Sequence, residues 1–211
     1  MITYILGAGR CGTTILTEIL VGNGYYMPPK HKTSLFEDPR VERINNKILS
    51  AVSSDFYSID FNITPMMLEH YEKHDMLELI DEYEGYDNPV IKDPRMLFLT
   101  DIWKTERMIG IFRYPTESVK SHYKWNNGRI SNDKLITHWL NYNKRLLELY
   151  YTHGFPVLNF NSKTLLRDIS AVLGFTVNPK RYDPQRVSEC DEIDLYGEVK
   201  EIYNELLEIV I

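Results

Sequence analysis

Gly7, Gly9, Arg10, Gly12, Thr13 and Thr14 crowd into one short stretch of the chain, and Lys92, Arg113 and Ser121 follow it at wide intervals. Glycines leave backbone N–H groups accessible, hydroxyls at a helix start add donors, and lysine and arginine add charge. Together these are the parts of an anion site, above all a phosphate site. The element that must position the first group is Ile2–Leu20, ITYILGAGRCGTTILTEIL. Its apolar run Ile2, Tyr4, Ile5 and Leu6 predicts a buried strand that stops at Gly7-Ala8-Gly9. Ile15, Leu16, Ile19 and Leu20 then recur at helical spacing. A strand, a glycine-rich turn and a helix N-terminus aim N–H groups and the positive end of a helix dipole at one spot.

Three kinds of loop share these letters. Gly7, Gly9 and Gly12 fit G-x-G-x-x-G, but the dinucleotide fingerprint also wants an acidic residue roughly 20 positions further on. The chain there reads Met27-Pro28-Pro29-Lys30-His31-Lys32, without a carboxylate. Gly7, Gly12 and Thr14 fit the frame G-x-x-x-x-G-K-[ST], yet Thr13 stands where the triphosphate-binding lysine belongs. The third reading puts Arg10 in the loop and a Thr-Thr pair at the helix start. In its G-x-G-R-x-G-T-T form this loop resembles the 5′-phosphosulfate loop of sulfotransferases that use 3′-phosphoadenylyl sulfate (PAPS). That resemblance implies cofactor contacts from Gly9, Arg10, Cys11, Gly12, Thr13 and Thr14.

A second anchor lies downstream. Arg107–Arg113 (RMIGIFR) predicts a strand, followed by Tyr114-Pro115-Thr116-Glu117 and a helix that carries Ser121. A guanidinium at a strand tip and a hydroxyl in the next helix can converge on one phosphate, the arginine offering a two-pronged fork. Arg113, Pro115 and Ser121 also match R-x-P-x-x-x-x-x-S, the 3′-phosphate pattern of the same family. Between the two anchors, Pro89-Val90-Ile91 predicts a short strand whose carboxyl end is Lys92-Asp93-Pro94-Arg95, where proline cannot continue the ladder. The I-K-D-P-R block is a third point of resemblance, and Phe36–Leu49 is more weakly similar to bacterial and phage-type members. A C-terminal glycine-rich K-G-x-x-G block is absent, and Arg181 and Arg186 are possible substitutes.

The resemblance implies sulfuryl transfer to a hydroxyl or amine of a small-molecule or carbohydrate acceptor, without a metal. Lys92 is the candidate for stabilising the moving sulfuryl group, with a salt bridge to Asp93 or another acid as the alternative. Glu37 leads as general base, because a carboxylate shielded near Phe36 has reason to be more basic. His31 follows, and then Asp38, which serves equally well as a helix N-cap before Pro39. Tyr25, Tyr26, Tyr123 and Trp125 could stack on an acceptor or belong to the core. Two rivals stay open: a nucleotide or small-molecule kinase with a degenerate loop, needing Mg²⁺, and a nucleotide-binding protein that has lost turnover.

The remaining elements predict one α/β domain over 1–211, with a central parallel sheet between helices in a P-loop nucleoside triphosphate hydrolase-like architecture. A second short strand is expected over Gly24–Met27, and an acidic helix over 64–83 with Met67, Leu68, Tyr71, Met76, Leu77 and Ile80 inward. Long and short helices follow, containing Leu135–Tyr150, Thr164–Val172 and Glu198–Ile209, the last with Val199, Ile202, Tyr203, Leu206 and Leu207 on one face. His70 and His74 share one helix face but have no third His or Cys nearby and only solvated Glu and Lys around them, so they read as a surface pair. The 211 residues are 43% apolar and 26% charged, as in ordinary globular domains. A net charge of −6 argues against a nucleic-acid surface while tolerating a local basic pocket. Cys11 and Cys190 suggest no disulfide framework, no apolar run approaches a membrane span, and a strand starting at residue 2 leaves no room for a signal peptide. The expectation is a cytosolic protein; the residues do not indicate an oligomeric state.

Overall fold

The computed structural model describes residues 1–28, 35–51, 57, 73–178 and 197–211. His31, His70, Arg181, Arg186, Cys190 and most of the stretch between 52 and 72 lie outside the described residues.

Four strands, β1 (Thr3–Leu6), β2 (Val90–Lys92), β3 (Arg107–Phe112) and β4 (Val157–Asn159), form a parallel sheet in the order β2-β1-β3-β4. Thr3 of β1 is level with Val90 of β2 and Arg107 of β3, and Gly110 of β3 is level with Val157 of β4. Side chains alternate between the two faces, as strand geometry requires. Tyr4, Leu6, Ile91, Met108, Phe112 and Val157 enter one apolar cluster. Val90, Ile5, Ile109, Ile111 and Leu158 enter the other. Both faces are buried, so the strands read as continuous apolar runs rather than alternating ones.

Helices cover both faces. On the first lie α2 (Pro39–Ala51), α3 (Lys73–Glu84), the short α4 (Thr100–Trp103), α6 (Asn132–His153) and α8 (Gly197–Glu208), contributing among others Val41, Ile44, Tyr83, Trp139 and Leu146. On the second lie α1 (Thr13–Gly22) and α7 (Leu165–Leu173), with Leu16, Ile19, Leu20, Leu165 and Ile169 inward. A further helix, α5 (Pro115–Trp125), leaves the end of β3. Buried polar bonds fix the layers: Trp103 Nε1 donates to Asn45 Oδ1 at 2.8 Å, and Trp139 Nε1 donates to the Arg113 carbonyl at 3.0 Å. The second bond ties the tip of β3 to α6.

The expected strand over Gly24–Met27 is reduced to one rung, a parallel bridge from Tyr26 to Pro89 on the outer edge of β2. Tyr25 and Met27 are buried there. The chain therefore goes from β1 to the far edge before β2 fills the place between, while β3 and β4 add on the other side. The strand order reverses direction between β1 and β3, and in open parallel sheets ligands sit at the carboxyl ends beside such a point.

Two helix faces differ from expectation. Leu77, expected inward, is 47% exposed, while Met76 is buried as expected and Leu79 and Tyr83 join it in the core. Met67, Leu68 and Tyr71 fall outside the described residues. On α8 only Leu206 is fully buried, while Leu207 is 43% exposed. Asp38 is the N-terminal cap of α2, its Oδ1 accepting from the Arg40 N–H at 2.8 Å, and its other oxygen accepts from Tyr83 and Arg40.

Candidate anion site

The loop between β1 and α1 is shaped by two glycines. A Cβ on Gly7 would lie 2.4 Å from the Ile111 carbonyl oxygen, so only glycine lets β1 and β3 meet at this level. Gly12 has φ +98° and faces the Phe160 ring, which an added Cβ would meet at 2.2 Å. Gly12 is also the N-cap of α1 and supplies no side-chain cap. The first N–H groups of a helix have no intrahelical acceptor, so those of α1 are directed at the loop's concavity.

Above the loop is a cavity of about 720 Å³ whose walls bring the three sequence blocks together. Gly9, Arg10, Gly12, Thr13 and Thr14 come from the first block, Lys92 and Arg95 from the second, Arg113 and Ser121 from the third, and Glu37 from the segment before α2. Arg10, itself at φ +66°, donates from Nε to Ser121 Oγ at 3.2 Å. Arg113 donates from Nη1 to the Arg10 carbonyl at 3.4 Å, lies over the Phe160 ring, and is 3.7 Å from Glu117. Burial and the neighbouring Arg113 guanidinium both pull Arg10 below its ordinary value. Two cations held this close favour an anion between them.

Cys11 does not line the cavity. Its thiol is fully buried against Ser118 Oγ at 3.4 Å, burial pushes its pKa up, and its backbone N–H is bonded to the Ala8 carbonyl. Tyr25 and Tyr26 are elsewhere too: Tyr25 is buried under Arg107, and Tyr26 stacks on Tyr86. Trp125 does border the cavity and is 52% exposed, whereas Tyr123 is exposed outside it.

The β2 side of the cavity is built from ion pairs. Lys92 Nζ donates to Glu37 Oε1 at 2.5 Å and to the Leu35 carbonyl at 3.1 Å, so its carboxylate partner is Glu37. Asp93 instead takes Arg95, whose Nη1 reaches both of its oxygens at 2.9 Å while Nη2 reaches Glu42 at 3.2 Å. Burial raises the Glu37 pKa, and the Lys92 ammonium opposes that rise without cancelling it.

Arg95, Tyr57 and His122 also border the cavity; Arg95 lies in the I-K-D-P-R block without a role assigned to it, and neither Tyr57 nor His122 belongs to any motif or spacing. Arg95 had a signal, following Lys92 at a strand end. His122 did not, because the residue after Ser121 on a helix points about 100° away. Burial, reinforced by the Arg10 charge, lowers its pKa to about 4. Its ring sits among those of Tyr57, His138 and Trp125. Among the described residues the one grouping of potential metal ligands is His74, Asp75 and Glu78, all exposed on α3 and away from the cavity.

Comparison with known proteins adds no relative: no family model, no curated protein and no solved structure matches the chain. No described helix is long and apolar enough to cross a membrane.

Proposed function

We propose that the chain is a sulfotransferase that moves a sulfuryl group from PAPS to a hydroxyl or amine of a small-molecule or carbohydrate acceptor. The observation that carries this reading is convergence. Three blocks far apart in sequence, Gly9–Thr14, Lys92–Arg95 and Arg113–Ser121, line one cavity at the carboxyl ends of β1, β2 and β3. The β1 loop in front of a helix N-terminus, with its sheet order, supports a P-loop-like assignment for the fold as part of the same proposal.

In this reading the N–H groups at the start of α1, the hydroxyls of Thr13 and Thr14 and the Arg10 guanidinium hold the 5′-phosphosulfate. Arg113 and Ser121 hold the 3′-phosphate, and the capless α1 terminus suits an anion that supplies the missing acceptors. Lys92 stabilises the sulfuryl group as charge redistributes, and Glu37 receives the acceptor's proton. The new bond joins the acceptor atom to sulfur, the sulfur–oxygen bond to the 5′-phosphate breaks, and 3′,5′-adenosine bisphosphate leaves. Thr13 in place of a P-loop lysine speaks against the kinase alternative.

The test is transfer itself. Protein incubated with ³⁵S-labelled PAPS and a panel of sugars, phenols and amines should release 3′,5′-adenosine bisphosphate and label at least one acceptor. Release of bisphosphate at the buffer-only rate across the panel, with ATP consumed instead when Mg²⁺ is added, would replace this reading with the kinase.

A further inference from the structure

The segment Leu35–Glu37 is held against the anion site by the same groups that an incoming anion would claim. Its Leu35 carbonyl accepts from Thr14 Oγ1 at 3.2 Å and from Lys92 Nζ at 3.1 Å. Its Glu37 carboxylate accepts from Lys92 at 2.5 Å. Phe36 between them has φ +55°, a left-handed conformation that a bulky non-glycine residue adopts at a cost. Such backbone is kept only where surrounding contacts over-determine it. Here those contacts include one donor from the start of α1 and one from the end of β2. Lys92 is 3% exposed and Glu37 12%, so their pairing is shielded from water and each depends on the other for compensation.

We propose that Leu35–Glu37 is an internal stand-in for the anion: it occupies Thr14 and Lys92 until phosphate or sulfate arrives, takes those donors over, and releases the segment. The carboxylate and the carbonyl present oxygen acceptors to a hydroxyl and an ammonium, as an anion's oxygens would. The exchange keeps the buried ammonium neutralised at every stage, whereas simple opening would leave it uncompensated. Resting on the sulfotransferase reading, the exchange also gives an order to events, because Glu37 becomes free to accept a proton only after the anion has taken Lys92. The acceptor then gains nothing by arriving first.

Inorganic pyrophosphate and inorganic sulfate test the exchange without requiring that any nucleotide bind. Titrated by calorimetry, the Glu37→Gln protein should bind both about tenfold more tightly than the unaltered protein, since the competing charge on Lys92 is gone. In a Lys92→Met background the same Glu37→Gln change should shift affinity by less than about twofold, because there is no shared donor left to compete for. Thermal unfolding supplies a second readout. The stabilisation given by a fixed pyrophosphate concentration should be larger in Glu37→Gln than in the unaltered protein. Equal or weaker binding by Glu37→Gln would overturn the proposal. So would a gain of equal size in the Lys92→Met background, which would make it a general charge effect. Failure of 3′,5′-adenosine bisphosphate to bind would count against the sulfotransferase reading alone, leaving the inorganic-anion comparison intact.

Discussion

The two sides of the cavity meet an anion differently. On the side made by β1 and β3, Arg10 leans on the neutral oxygen of Ser121, Arg113 leans on the Arg10 carbonyl and keeps a looser 3.7 Å contact with Glu117, and each guanidinium raises the potential felt by the other. On the β2 side, Lys92 and Arg95 are already matched with Glu37, Asp93 and Glu42 at 2.5 to 3.2 Å. The first side is set to receive negative charge. The second must exchange a partner before it can do so. A site built this way can bind on one side and gate chemistry on the other, and changes on the two sides should have different signatures.

The largest effect should come from the backbone of the first side. Gly12→Ala forces a Cβ into Phe160 at a positive φ and should destabilise the fold by about 3 kcal/mol while abolishing anion binding, read by thermal unfolding and calorimetry. Arg113→Ala should weaken 3′,5′-adenosine bisphosphate about a hundredfold by removing a fork of charge-assisted bonds, and leave ADP nearly unaffected. If ADP weakens equally, Arg113 does not distinguish the 3′-phosphate. On the second side, Glu37→Gln should lower turnover about a hundredfold without weakening the bisphosphate, which steady-state kinetics beside a binding titration would separate. Unchanged turnover would remove Glu37 as base.

The smallest effect concerns His122, next to the first side. Its pKa is about 4 in the folded protein against an ordinary 6.5. The unfolded chain takes up this proton more readily, so the contribution to stability is complete above pH 6.5 and declines as pH falls toward 4. His122→Asn should shrink the fall in melting temperature over that window by about 3 °C. A fall of unchanged size would show that other groups carry the acid sensitivity.

What could be read from the sequence follows the same division. The β1–loop–α1 unit is legible because glycine punctuation and helical spacing are local, and Arg113 to Ser121 because both sit within one strand–helix junction. On the cavity's second side Lys92 and Glu37 are legible as site residues but their pairing is not, because Lys92 chooses Glu37 across 55 positions rather than the adjacent Asp93, and no periodicity encodes that choice. Leu77 and Leu207 show a related limit. A helical stripe tells which residues share a face, but the width of that face touching the sheet depends on neighbouring elements. The Gly24–Met27 strand shrank to one rung, in which Tyr26 donates to the Asn88 carbonyl and accepts from the Val90 N–H, and Pro28 and Pro29, which follow, have no N–H to extend the ladder. His122 and Tyr57 became visible only when the fold had placed them in the cavity wall.

The most direct measurement of the central claim is calorimetric titration of 3′,5′-adenosine bisphosphate beside ADP and ATP, each with and without Mg²⁺. The account predicts metal-independent binding of the bisphosphate, with ADP and ATP at least about tenfold weaker because neither presents a second phosphate to Arg113 and Ser121. Preference for ATP with Mg²⁺ would contradict it.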